Sequence, residues 1–162
     1  MNKITPITAN FAVTGALRPE DFAAIRAMGF KAVVSNLPDG ESPAYPTSTE
    51  EAQLAGQAGL AFRHIPTTKF DVFSDRVVGD MQEALSAFPG PVLAHCASGM
   101  RSAAAWAGAA ARLQPADCVV DALQRAGFNM AALRDELQEQ GGDAHAGDIP
   151  PALDAECAKK SA

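Results

Sequence analysis

Long apolar runs are missing from this chain: nowhere do its 162 residues supply a stretch able to span a bilayer. The opening residues, MNKITPITAN, lack the apolar core of a signal peptide, so a cytoplasmic location is expected. Positive charge is also scarce. Lys and Arg number 13 against 19 Asp and Glu, a formal net charge of -6. That balance argues against a nucleic-acid or membrane-surface partner, since both need a basic footprint. It leaves room for a local cationic pocket holding a small anion. Cysteine is sparse and odd in number: Cys96, Cys118 and Cys157 show no paired spacing, so a disulfide framework is not expected. Neither a metal nor a cofactor is expected. Asp143, His145 and Asp148 come nearest to a metal set, but a Gly-rich segment without a fourth ligand reads as solvated chain.

What is present is an alternation of β-rich runs and helical periodicity, the pattern of an α/β protein with a mainly parallel sheet flanked by helices. Hydrophobic residues make up 48% of the chain, enough for one domain to bury a core without staples. Strands are expected at Phe11–Thr14, Lys31–Asn36, Ala61–Ile65 and Val92–His95. Helices are expected from Pro19 to Met28, from Ser48 to Gly59 and from a Ser74 cap to Phe88, then over 102–112, 116–126 and 130–140. Right-handed crossovers put the strand ends at Asn36, Ile65 and His95 on one sheet edge, where open α/β folds bind ligands. The catalytic domain is assigned to 1–140. Residues 141–162, with Gly141-Gly142, Pro150-Pro151 and Lys159-Lys160, read as a polar C-terminal tail. Within this scheme Cys118 reads as a small buried hydrophobe on a helix, and Cys157 as a chance residue of the tail.

Cys96 stands apart because of its neighbours. The run His95-Cys96-Ala97-Ser98-Gly99-Met100-Arg101-Ser102 passes directly from a strand into a helix. A thiolate at a helix N-terminus is stabilised by the dipole and by free backbone N–H groups. The amides of Ala97, Ser98, Gly99, Met100 and Arg101 can curl around the sulfur and an anion bound to it, and Gly99 permits that curl. Arg101 supplies a planar fork for an oxyanion. Ser102 is placed to donate to the thiolate or to assist a leaving group. His95 points to the opposite side of its strand, so it is expected to anchor the loop through hydrogen bonds instead of acting as a base.

From Phe11 to about Ala110 the chain resembles the phosphatase-like domain of bacterial beta-lactamase hydrolase-like proteins, a relative of dual-specificity phosphatases. The matching pieces are Val13-Thr14-Gly15, Asp21 through Gly29-Phe30, Asn36-Leu37-Pro38-Asp39-Gly40-Glu41, His64-Ile65-Pro66 and His95 through Ser102. The resemblance implies a dual-specificity-phosphatase-like fold, with Cys96 as nucleophile and Arg101 as oxyanion binder. The family often carries Arg where this chain has Leu37 and Gln where it has Ala16.

The loop length divides the chemistry. Cysteine phosphatases use a Cys-x5-Arg loop that surrounds a phosphoryl group. Only Ala97, Ser98, Gly99 and Met100 separate Cys96 from Arg101, as in single-domain rhodaneses, whose loop carries a persulfide sulfur. The leading expectation is therefore a sulfurtransferase using a small anionic sulfur donor and a thiol acceptor, with a persulfide dioxygenase as a possible partner. The alternative is a phosphatase acting on a phosphorylated substrate through a phosphocysteine, with Asp71, or failing it Asp75, as the proton donor. The third is a non-catalytic anion-binding or redox-sensing module. Asp39, Glu41 and Lys69 fall on the same edge without a clear role: Glu41 is a candidate supporting residue, and Lys69 adds potential for an anion or is merely exposed. Trp106 is assigned to core packing.

Overall fold

Val92–His95 is short, apolar and bounded by Pro91, and it becomes the central strand of a five-stranded sheet. The computed structural model describes residues 1–142 and 147–157. Strands β1 (Thr5–Thr8), β2 (Phe11–Thr14), β3 (Ala32–Ser35), β4 (Ala61–His64) and β5 (Val92–His95) take the order β1-β2-β5-β3-β4. β1 runs antiparallel to β2, and all other pairs are parallel. β1 is not expected from sequence, because Pro6 interrupts a run that holds one large apolar residue, Ile7. Its position at the sheet edge accommodates that proline.

Strand alternation divides the core in two. Val92 and Ala94 of β5, with Ala32 and Val34 of β3, face a large apolar layer under α3 (Asp75–Ala87), α4 (Met100–Ala110), α5 (Ala116–Arg125) and α6 (Arg134–Gln138). Leu93 and Val33 face the opposite layer under α1 (Asp21–Ala27) and α2 (Ser48–Ala58). Local signals set the helix starts. Thr47 and Glu50 form a capping box on α2, and the Ser74 side chain accepts the Val77 amide at the start of α3. The Ala-rich face of α4 allows close packing: a Cβ at Gly108 would stand 3.1 Å from both Phe73 and Val78. The helix expected over 130–140 divides into a 3₁₀ turn at Ala131–Leu133 followed by α6.

Two expectations need correction at the C-terminus. Residues 147–157 do not trail away as a polar tail. Ala152, Leu153 and Ala155 are buried in the larger core, and Trp106 Nε1 donates to the Ala152 carbonyl at 2.8 Å. Gln114 clasps the same segment, donating to Leu153 O at 2.7 Å and accepting from the Ala155 amide at 2.9 Å. Small apolar residues between the charges of this segment are enough to fill the space beside Trp106, and a polar average hides them. The second correction concerns cysteine: Cys118 and Cys157 form a disulfide across 39 residues, leaving Cys96 as the free thiol. The packing of the C-terminal segment against α5 brings together two cysteines whose spacing carries no signal. Asp143 and His145 lie outside the described residues.

Candidate active site

After His95 the chain crosses a four-residue loop before α4 begins at Met100. Gly99 caps the helix with φ of 92°, a left-handed conformation suited to glycine, and its amide donates to Cys96 Sγ at 3.1 Å. The bond from Ala103 N to Gly99 O, 3.0 Å, opens the helix ladder. The amides of Met100, Arg101 and Ser102 therefore belong to the first turn, at the positive end of the helix dipole. Cys96 is fully buried, while Ala97, Ser98 and Met100 are exposed. The loop is pressed against the end of β2. Cys96 N donates to Thr14 O at 3.4 Å, and a Cβ at Gly15 would lie 3.1 Å from Ala97 O.

Arg101 is held from two sides. Its Nη1 donates to Glu41 Oε1 at 3.0 Å and to Thr67 O at 2.8 Å, and its Nη2 donates to Glu41 Oε2 at 2.5 Å. Hydrogen bonding to Glu41 raises the guanidinium pKa further; burial opposes the rise, while the charges of Cys96 and Glu41 add to it. The guanidinium thus remains cationic and in electrostatic reach of Cys96. The turn after β3 supplies Glu41 and the turn after β4 supplies Thr67, so three strand ends converge on one side chain.

Ser102 takes a different part from the expected one. Its hydroxyl donates to Asn36 Oδ1 at 2.8 Å, and Asn36 Nδ2 donates to Ile65 O at 3.0 Å and Thr67 Oγ1 at 3.2 Å. Ser102 and Asn36 are both fully buried. The Ser102 proton is therefore committed to a lock that ties α4 to the ends of β3 and β4. His95 lies on the α2 side of the sheet, where its Nε2 is 2.6 Å from Glu51 Oε2. Both side chains are buried, and His95 Nδ1 has no partner among the described residues.

Asp71 sits in the turn after β4, where it is tied up as a brace. Its carboxylate accepts from Thr68 N at 2.7 Å and Thr68 Oγ1 at 3.1 Å, and pairs with Arg76 at 2.9 Å. Burial works against its ionisation, but the Thr68 amide, Arg76 and the Thr68 hydroxyl together hold its pKa below the ordinary value. An aspartate so held carries little proton to donate near neutrality. Asp75 is fully exposed and pairs with Arg112 at 2.9 Å. Asp39 accepts from the Ser48 amide and hydroxyl, both at 2.7 Å, and steadies the start of α2.

Sequence reasoning gave Glu41 only a supporting role, and missed Glu51 and Asn36. Glu51 reads from sequence as a first-turn helix acid, and Asn36 as the end of a strand; their partners lie 44 and 66 residues away. Among the described residues, no group of His, Cys, Asp and Glu forms a metal site, and no helix is long and apolar enough to cross a membrane.

Residues 3–113 match the family model described as beta-lactamase hydrolase-like protein, phosphatase-like domain. A beta-lactamase hydrolase-like protein of Agrobacterium fabrum is 30% identical over 141 residues, covering 85% of this chain and 32% of that protein. The chain thus spans about a third of the length of that relative. A crystal structure of a candidate phosphatase from Neisseria meningitidis superposes with a TM-score of 0.71 at 28% identity, covering 85% of this chain and 97% of the other. The core catalytic domain of the PP-IP phosphatase SIW14 from S. cerevisiae shares the fold at 14% identity and a TM-score of 0.56, with 83% of each chain covered.

Proposed function

The chain belongs to the phosphatase-like domain family of beta-lactamase hydrolase-like proteins, and on that premise we propose that it is a cysteine-dependent phosphomonoesterase. The observation that carries the reading is Arg101, held by Glu41 and Thr67 O beside the first turn of α4 and within the field of Cys96. Such a fork, with the unpaired amides of a helix start, suits three equatorial phosphoryl oxygens. The Cys96 thiolate attacks phosphorus, an S–P bond forms, and the ester P–O bond breaks. The departing oxygen takes its proton from solvent or from a group on the substrate. Water then attacks the phosphocysteine, inorganic phosphate leaves, and the thiolate is regenerated with loss of the water proton.

A second reading is sulfur transfer, and the four residues between Cys96 and Arg101 favour it. The sulfur donor, the thiol acceptor and the persulfide dioxygenase expected from sequence all belong to that reading. The family and the solved relatives support phosphoryl transfer, which reverses the order the sequence suggested. Hydrolysis of p-nitrophenyl phosphate by the wild-type chain and by Cys96→Ser tests the choice. Cys96-dependent release of phosphate supports the phosphatase. Cys96-dependent transfer of sulfur from thiosulfate to cyanide, with no phosphate release, overturns it.

A further inference from the structure

Beside Arg101 lies a cavity of about 580 Å³, formed by the turn 69–74, the start of α4 and the segment 129–136. Its apolar wall includes Phe70, Phe73, Met100, Met130 and Leu133, and the charged side chains that line it are Arg101, Lys69, Asp71 and Glu136. Two of these side chains are unusual for a folded surface: Phe70 is 88% exposed and Met100 is 53% exposed. Large apolar groups standing in water beside a cavity mark a surface meant to be covered. Phe70 is also firmly presented. Asp71 and Arg76 brace its turn through Thr68 and the Pro66 carbonyl, and Val72 is buried as an anchor.

Resting on the phosphatase reading, we infer that this cavity binds the leaving group of the substrate, and that the substrate is a phosphate monoester of an apolar alcohol or phenol larger than one aromatic ring. Arg101 belongs to both the anion cradle and the cavity, so the ester substituent of a phosphoryl group held on Arg101 comes within reach of the apolar wall. The volume lies in the ordinary range for small-molecule sites and exceeds what one ring fills.

Phenyl phosphate and 4-biphenylyl phosphate separate the contribution of this cavity, because their phenolic leaving groups are similar and their apolar extents differ. The wild-type chain is expected to favour the biphenylyl ester by about tenfold in kcat/KM, mainly through KM, as burial of a second ring implies. Phe70→Ser, on an exposed side chain, and Leu133→Asp, checked for folding by circular dichroism, are each expected to bring that ratio to within about twofold. Binding of the same two esters to Cys96→Ser, measured by calorimetry, reads the cavity without turnover and is expected to show the same preference. Equal affinities for the two esters, or a preference that survives both variants, overturn the inference. Failure of Cys96-dependent hydrolysis with the binding preference intact overturns the phosphatase reading alone.

Discussion

The front edge of the sheet and the C-terminal segment behind α4 are built by opposite rules. At the front, the proposed chemistry rests on Cys96 and Arg101 within eight consecutive residues, His95 to Ser102, and distant residues steady them. At the back, nothing contiguous signals a structure, yet Ala152, Leu153 and Ala155 complete the core beside Trp106. A contiguous motif survives being read in isolation, because its spacing is itself the geometry. A segment that owes its order to a cavity left by other elements does not. The comparison also separates two kinds of loss: front-edge variants should lose activity with the fold intact, and back variants should lose the fold.

The largest expected effect is at the front. Cys96→Ser should lower phosphate release at least about a thousandfold, while its thermal midpoint stays within a few degrees of the wild type in a calorimetric scan. A parallel fall in stability would mean that Cys96 is mainly a core residue. At the back, Trp106→Ala removes a fully buried ring stacked on Phe11 and the hydrogen bond to Ala152 O. It should cost about 3–5 kcal/mol in urea unfolding. A smaller loss would show that the C-terminal segment is loosely attached.

Next comes the disulfide. Cys118→Ser opens a cross-link spanning 39 residues, and about 2–4 kcal/mol of stability should go with it. Thiol titration of the unfolded wild-type chain before and after reduction checks that the bond is formed: two additional thiols are expected. Returning to the front, Glu41→Gln keeps the shape but removes the charge facing Arg101. It should reduce kcat/KM by about tenfold, with kcat falling as well as KM rising, because the guanidinium loses its fixed orientation. A change confined to KM would place Glu41 against substrate instead.

The smallest effect is expected at Asp71. Its folded pKa lies below the ordinary 3.8, so its stabilising bonds are fully present above that value and are lost as pH falls through the folded pKa. Asp71→Asn should therefore differ from wild type at neutral pH by less than about 1 kcal/mol, and the two melting curves should converge in acid. Activity should fall no more than about threefold, with the basic limb of the pH–rate profile unmoved. Loss of that limb would make Asp71 a proton donor after all.

Much of the α/β architecture was legible because apolar four-residue runs stop at glycines and prolines, and because Ser74 and Glu50 mark helix starts. The convergence of the turns after Asn36, Ile65 and His95 followed from the handedness of parallel crossovers. The partners were harder to read. Glu41 meets Arg101 across 60 residues and Ser102 meets Asn36 across 66, and nothing in either neighbourhood names the other. Ser102, read as a helper for the thiolate, turned out to share its proton with an amide that only the folded sheet brings near. Cys157 failed for the same reason as Leu153: both lie in a segment whose average composition is polar, while its structure depends on a few small side chains.

The choice of cargo on Cys96 is tested most directly by intact mass spectrometry after acid quench of the turnover mixture with an aryl phosphate. One phosphoryl group added to the wild-type chain, localised to Cys96 and absent in Cys96→Ser, is the predicted result. A chain that gains no phosphoryl group there, yet gains one sulfur atom on Cys96 from thiosulfate, would contradict it.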